Sequence, residues 1–337
     1  MTIEENASLR TLNTFGIDAV ARRLARFDSL DQLEEIARRT TAFAERHLFL
    51  GGGSNVLFTR DFDGWVLLNR IPGVKVVKED ENHVWLQAGA GHIWHDLVLM
   101  AVANGWGGLE NMSLIPGRCG AAPMQNIGAY GAEIKDVFTS LRAYHLRDRA
   151  VVEFTLNDCE FGYRESIFKS KEKGNFAILD ITLRLDKKPN INVGYGAIAS
   201  ELEAMGVQNP GVADVSRAVM RIRQSKLPDP AVLGNAGSFF KNPTVSFAEG
   251  ERLKKEFPDI VTYPQPDGVK LAAGWMIEKA GLKGFVQGRC GVHDRQALVL
   301  VNHGGATGSE IFTLSEAVIS RVQALFGVRP EREVNIF

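Results

Sequence analysis

The stretch Leu114-Ile-Pro-Gly-Arg-Cys-Gly-Ala-Ala-Pro-Met-Gln-Asn-Ile-Gly-Ala-Tyr-Gly131 decides how the rest of the chain is read. It holds four glycines, two prolines, three alanines and a single charge, Arg118. Neither a 3.6-residue nor a 2-residue apolar period runs through it, so it predicts neither a simple helix nor a strand. Glycine lets another group approach the backbone closely, and proline fixes the course of the chain. A long neutral loop of this kind suits a flat or phosphorylated cofactor, to which backbone N–H groups would donate. A tight structural loop has the same composition, and the stretch alone leaves both readings open.

Upstream, an apolar strand predicted at 47–50 runs into Gly51-Gly52-Gly53-Ser54-Asn55. Val56-Leu57-Phe58 then favours extended structure. The loop is therefore no Rossmann turn, which opens a helix, and without a following Gly-Lys-Ser/Thr it is no P-loop. Ser29-Leu30-Asp31-Gln32 reads as a capping box opening a helix that turns Leu33, Ile36 and Ala37 inward. A strand at 84–88 precedes a helix over 92–104 with Ile93, Leu97 and Ala101 inward and Gly105 as its stop. Strands follow at 141–144 and 177–185, the second with Ala177, Leu179, Ile181, Leu183 and Leu185 on one face. Lys187-Lys188-Pro189-Asn190 is a candidate domain edge. Beyond it come a helix over 213–223, helices near 247–257 and 272–280, and a strand at 297–301. Thr307-Gly308-Ser309-Glu310 opens a last helix burying Ile311, Leu314, Val318 and Val322. Residues 333–337 form a strand-like tail. Runs of strands with few intervening helices predict an α+β fold.

With 45% hydrophobic and 23% charged residues in 337, the composition is that of a soluble globular protein with room for two or three domains. A formal net charge of −1 points to no nucleic-acid or membrane-surface partner. Cys119, Cys159 and Cys290 are odd in number and far apart, which fits reduced thiols in a cytoplasm. The polar start is no signal peptide, and no apolar run reaches the length of a membrane span.

Three polar residues stand in unusual surroundings. Arg164 lies in Phe161-Gly162-Tyr163-Arg164-Glu165-Ser166, where a guanidinium would be desolvated and aimed at an anion. An exposed structural arginine fits the same residues. Ser238 lies between a glycine and two aromatics in Gly237-Ser238-Phe239-Phe240-Lys241-Asn242-Pro243, without a nucleophile elbow; it would equally serve as a turn cap. Glu333 sits on an otherwise apolar tail. Arg221, Arg223 and Lys226 precede Leu227-Pro228-Asp229-Pro230, so positive groups converge before a rigid loop, suiting a phosphate or a solvated helix face. Tyr195 and Tyr263 lie in Gly/Pro surroundings. His92 and His95 lack a third ligand and read as surface or cap histidines rather than a metal site.

In this order, Gly-Gly-Gly-Ser-Asn-Val-Leu at Gly51, Ile-Pro-Gly at Ile115, Pro-Met-Gln-Asn-Ile-Gly-Ala-Tyr-Gly at Pro123 and Tyr-Arg-Glu-Ser at Tyr163 resemble the UDP-N-acetylenolpyruvoylglucosamine reductases. So do Lys-Leu-Pro-Asp-Pro at Lys226 and Asn-Ala-Gly-Ser-Phe-Phe-Lys-Asn-Pro at Asn235. The resemblance runs nearly end to end. It implies an FAD-binding domain of the vanillyl-alcohol-oxidase type in two lobes, plus a smaller α/β substrate-binding domain. Lobe 1 would be residues 1–70 with the tail 328–337, lobe 2 residues 71–215 with a tyrosine loop near 190–200, and the substrate-binding domain 216–327. Non-covalent FAD would lie against Gly51, Gly52, Gly53, Ser54, Asn55, Ile115, Pro116, Gly117, Gly120, Ala121, Ala122, Gln125, Asn126, Gly128 and Gly131. Ser238, Arg164 and Glu333 fall on catalytic positions. Tyr130, Tyr195, Arg223, Lys226, Asn242, Tyr263 and Lys270 fall on substrate-binding ones, for a UDP-sugar.

The implied activity is cytoplasmic, NADPH-dependent reduction of an enolpyruvyl ether in peptidoglycan precursor synthesis, by a monomer. Hydride addition to a C=C conjugated with a carboxylate builds negative charge there, which Arg164 and a protonated Glu333 would stabilise. Glu333 would need a raised pKa for this, and Ser238 would give the final proton. An O₂-dependent flavin oxidase on the same fold would lack the Arg164 and Ser238 motifs. A non-catalytic nucleotide-sugar binder would purify colourless.

Overall fold

The computed structural model describes residues 2–337. By its internal contacts the chain divides into two compact, interleaved units. The first comprises the segment ending at Ala7, Ala21–Gly52 and Asp63–Ser225; the second comprises Ser8–Val20, Gly53–Phe62 and Lys226–Phe337. One division cuts the glycine triplet between Gly52 and Gly53, and another falls at the end of the helix Val212–Lys226. The Lys187–Asn190 stretch expected as an edge lies inside the first unit, where Pro189 packs against Gly107.

The first unit is built on a five-stranded antiparallel sheet in the order Ala150–Thr155, Phe138–His145, Phe176–Asp186, His83–Gly89, Val74–Glu79. Its longest strand, Phe176–Asp186, is buried on both faces. The expected single-face alternation fails at a bulge. Ala143 pairs with Ile178 and Arg142 with Asp180, leaving Leu179 as the extra residue. An extra residue reverses which face the later side chains take. Ala177 and Leu179 accordingly enter a core with Phe27, Leu33, Ile36 and Trp65. Ile178, Ile181, Leu183 and Leu185 enter another with Trp94, Leu97 and Phe138. A second sheet orders Ile3–Ser8, Val20–Phe27, Phe62–Asn69 and His47–Leu50.

The helix expected over 92–104 runs Trp94–Ala103. Ile93, expected inward, is 42% exposed, because it is extended and bridges to Arg118 rather than joining the helix. Trp94, Leu97, Val98 and Ala101 fill the core instead.

The second unit holds a four-stranded sheet ordered Gly234–Ser238, Val299–Asn302, Cys290–Val292, Val286–Gln287 and a three-stranded one ordered Thr244–Val245, Gly268–Leu271, Thr262–Gln265. Helices Phe247–Glu256, Ala273–Lys279 and Gly308–Phe326 accompany them. The tail strand Asn335–Ile336 pairs in parallel with Val56–Leu57. Largely antiparallel sheets with separate helices make the molecule α+β, as expected.

Candidate functional site

In the first unit the stretch 114–131 folds as two single 3-10 turns, Cys119–Ala121 and Pro123–Gln125, and a small hairpin of Gly128–Ala129 with Ala132–Glu133. Tyr130 and Gly131 both take positive φ at its tip, the geometry of a tight two-residue turn. Backbone bonds fasten the stretch: Trp94 N to Gly117 O at 3.1 Å, Cys119 N to His92 O and Gly120 N to Ala90 O at 2.9 Å. The two glycine-rich loops adjoin. A Cβ on Gly52 would stand 3.2 Å from Gly117 Cα, and one on Gly51 3.4 Å from Arg118 Cβ. Arg118, the lone charge, donates through Nη1 to Gly91 O at 2.7 Å.

Arg164 is drawn to this stretch. Its backbone has φ 55, and its guanidinium donates to Gly128 O at 2.7 Å and Asn126 O at 3.4 Å while standing 5.3 Å from the Tyr163 ring centroid. Ser166 Oγ donates to Met124 O at 2.7 Å. The buried Asn126 side chain donates to Glu133 Oε2 and Gly162 O and accepts from Lys135 N. Its side-chain atoms are thus committed within the protein, and contact with a cofactor would fall to its backbone.

Tyr130 and Tyr195 meet edge to face, with centroids 5.3 Å apart. Burial raises the Tyr130 pKa, against the pull of the Arg223 guanidinium that hydrogen-bonds it. Burial likewise lowers the pKa of Arg223, whose Nε is shut off from solvent and has no hydrogen-bond partner among the described residues. The expected convergence with Arg221 does not occur. Residues two apart on a helix face opposite ways, and Arg221 is exposed and bonds Glu201 at 2.5 Å. Lys226 lies three positions after Arg223 and is exposed.

In the second unit Ser238 ends the strand Gly234–Ser238 opposite Val299. The register shifts between Asn235 and Ser238, where Gly237 takes φ 68 and donates to Asn235 Oδ1 at 2.9 Å. The bulge places Ser238 at the end of a paired strand. Glu333 N donates to Phe239 O at 2.8 Å, and Phe240 bridges Arg332, so the tail carries Glu333 alongside the Ser238 segment. Asn55 Nδ2 in turn reaches Glu333 O at 3.4 Å. Asn242 Oδ1 accepts from Ala273 N at 3.0 Å, at the start of the helix Ala273–Lys279. Tyr263 and Lys270 stand directly opposite in the hairpin, a side-chain pair on one face.

The sequence reading passed over Asn111, and it took His95 for a surface or cap histidine, whereas the ring is half-buried and bonded to the glycine-rich stretch. His95 Nδ1 accepts from Leu114 N at 3.0 Å, and its pKa is lowered by burial and by the Arg223 charge, against Asp96. Asn111 Nδ2 bonds Tyr130 O and Asn192 O. The polar run Glu110-Asn111 beside Gly107-Gly108-Leu109 was the available signal. His92, also lowered by burial, has its Nε2 shut from solvent and unpartnered among the described residues, one residue from the backbone that Arg118 holds. Charge-poor loops in contact and an orphaned imidazole nitrogen beside them fit a large, polar, dinucleotide-like cofactor.

Comparison with known proteins agrees. A family model described as FAD binding domain matches residues 21–153, and one described as UDP-N-acetylenolpyruvoylglucosamine reductase, C-terminal domain, matches 229–337. The UDP-N-acetylenolpyruvoylglucosamine reductase of Amoebophilus asiaticus is 46% identical over 337 residues, covering 100% of this chain and 99% of the relative. That of Burkholderia pseudomallei is 51% identical over 97% of this chain and 94% of the relative. The crystal structure of the Thermus caldophilus UDP-N-acetylenolpyruvylglucosamine reductase shares the fold, at TM-score 0.69 and 23% identity over 100% of this chain and 99% of that one. 6-Hydroxy-D-nicotine oxidase of Arthrobacter nicotinovorans shares it more distantly, at TM-score 0.51 and 10% identity over 97% and 86%. Matches of this identity along the whole length mean that the chain belongs to the UDP-N-acetylenolpyruvoylglucosamine reductase family of FAD-dependent oxidoreductases.

Proposed function

We propose that the protein reduces the enolpyruvyl ether of UDP-N-acetylglucosamine-enolpyruvate to UDP-N-acetylmuramate for peptidoglycan synthesis, as a cytoplasmic monomer with NADPH as reductant. FAD bound there would supply the redox chemistry, with NADPH as the source of reducing equivalents and the terminal carbon of the double bond as the hydride acceptor. Residues 51–55 and 114–131 would hold it without a covalent link; burial pushes the Cys119 thiol up to about 12, so it is no nucleophile at neutral pH. Arg164 stabilises the charge that develops on the substrate carboxylate, and Glu333, when protonated, shares that task. Ser238 Oγ gives its proton to the carbon next to the carboxylate. Tyr195, Arg223 and Lys226 bind the diphosphate.

The observation that carries this reading is the Gly237 bulge beside the tail segment, which supports Ser238 and Glu333 as joint parts of one apparatus. The test separates the half-reactions. Ser238→Ala is expected to bind FAD and be bleached by NADPH at a near-normal rate. Reoxidation by the enolpyruvyl substrate is expected to slow by roughly 10²–10⁴. Slowed bleaching with intact reoxidation would place Ser238 at the nicotinamide instead.

A further inference from the structure

Asn111 lies in the turn Glu110–Met112 and is 2% exposed. Both of its amide hydrogens are used across long sequence separations: Nδ2 donates to Tyr130 O at 2.9 Å and to Asn192 O at 3.1 Å. Tyr130 stands at the end of the glycine-rich stretch with φ 49, and Asn192 precedes Tyr195 on its loop. The Asn192 side chain continues the network, with Oδ1 accepting from Gly194 N at 3.1 Å and Nδ2 reaching Gly131 O at 3.5 Å. Ser113 Oγ bonds Ser216 Oγ at 2.8 Å, on the helix that carries Arg223. One buried carboxamide is therefore the joint between the glycine-rich stretch and the segment that bears Tyr195.

We propose that Asn111 is a positioning residue for the UDP-sugar: its two N–H bonds set the Tyr195 segment against Tyr130. The inference rests on the reading of Tyr195 as a diphosphate ligand. Asparagine suits the position because its N–H₂ serves two carbonyl oxygens from one point on a short, neutral side chain. Aspartate has the same shape but would turn acceptors towards both of them.

Asn111→Asp in the holoenzyme is expected to keep flavin content and the rate of bleaching by NADPH. Its Kd for UDP, followed by flavin absorbance or calorimetry, is expected to rise by about tenfold or more, the scale of losing buried hydrogen bonds. The KM for the enolpyruvyl substrate should rise more than kcat falls. Chymotrypsin should cut sooner after Tyr195, which is 42% exposed. Asn111→Ser, small enough to admit water, serves the same test if the aspartate variant does not fold. Unchanged UDP affinity together with unchanged cleavage overturns the proposal. So does flavin loss in step with UDP affinity, which marks a merely structural role. If Tyr195→Ala leaves UDP affinity untouched while Asn111→Asp still speeds cleavage, the diphosphate reading fails and the joint stands.

Discussion

An alanine at position 120 would place its Cβ 2.5 Å from Ala90 Cβ and 3.1 Å from Ala90 O, in a segment that the Gly120 N–H already ties to Ala90. The neighbour is backbone and a short side chain, so neither can swing away. Gly120→Ala is expected to cost about 1–3 kcal/mol, as overpacking does, and to lower the flavin-to-protein absorbance ratio. Gly196, which starts a helix and would meet nothing within 4 Å, is the control. Gly196→Ala should melt no lower and retain its flavin. Equal flavin content in the two variants would remove the stretch from the cofactor site. At this scale the sequence disclosed which residues were unusual but not what they touch. The missing apolar period of 114–131 was legible, whereas its anchors at Ala90 and His92 come from a separate strand-to-helix connection. Arg221 and Arg223 looked equivalent in a list, and only the helix they share sends one to Glu201 and the other beneath Tyr130.

Elements bounded by local chemistry were the most readable. Thr307 Oγ1 accepts from Glu310 N at 3.2 Å, and Glu310 Oε2 accepts from Thr307 N at 2.7 Å, closing the box that opens Gly308–Phe326. Thr307→Ala is expected to lower stability by about 1 kcal/mol, visible as an earlier denaturation midpoint. An unchanged midpoint would mean that packing of Ile311, Leu314, Val318 and Val322 alone holds the helix start. The box expected at Ser29 closes differently. Ser29 Oγ accepts from Gln32 N, but Gln32 Oε1 takes the N–H of Asp28, one residue earlier. Strand faces were less legible, because a bulge such as that at Leu179 arises from pairing with Phe138–His145 and leaves no local mark. The Gly237 bulge was no more legible, since the sequence marks no strand over 234–238 and only the pairing with Val299–Asn302 makes that segment one.

Interleaving at the scale of the whole chain was the hardest to foresee. Residues 8–20 and 53–62 join the C-terminal unit through contacts such as Asn235 N to Thr14 O at 3.1 Å and the tail's pairing with Val56–Leu57, more than 200 residues away in sequence. The same burial gives the molecule an acid-side weakness. His92, His95 and His293 all have pKa values lowered chiefly by burial, the first two in the first unit and the third in the second. His293 Nδ1 accepts from Arg295 N at 3.4 Å and Gln296 N at 3.2 Å, which only the unprotonated nitrogen can do. Asp294, 3.4 Å from Nε2, favours the charged ring, while Arg295 and His303 oppose it. Because the folded pKa lies below the unfolded one, the unfolded chain binds more protons through this window. Stability is then complete above the unfolded value of about 6.5 and falls as pH drops towards the folded value. His293→Asn keeps an acceptor and does not titrate. Between about pH 7.5 and pH 5.5, a range in which carboxylates stay charged, its denaturation midpoint should fall less than that of the unaltered protein. Equal losses in the two proteins would show that His293 is not among the groups taking up the protons.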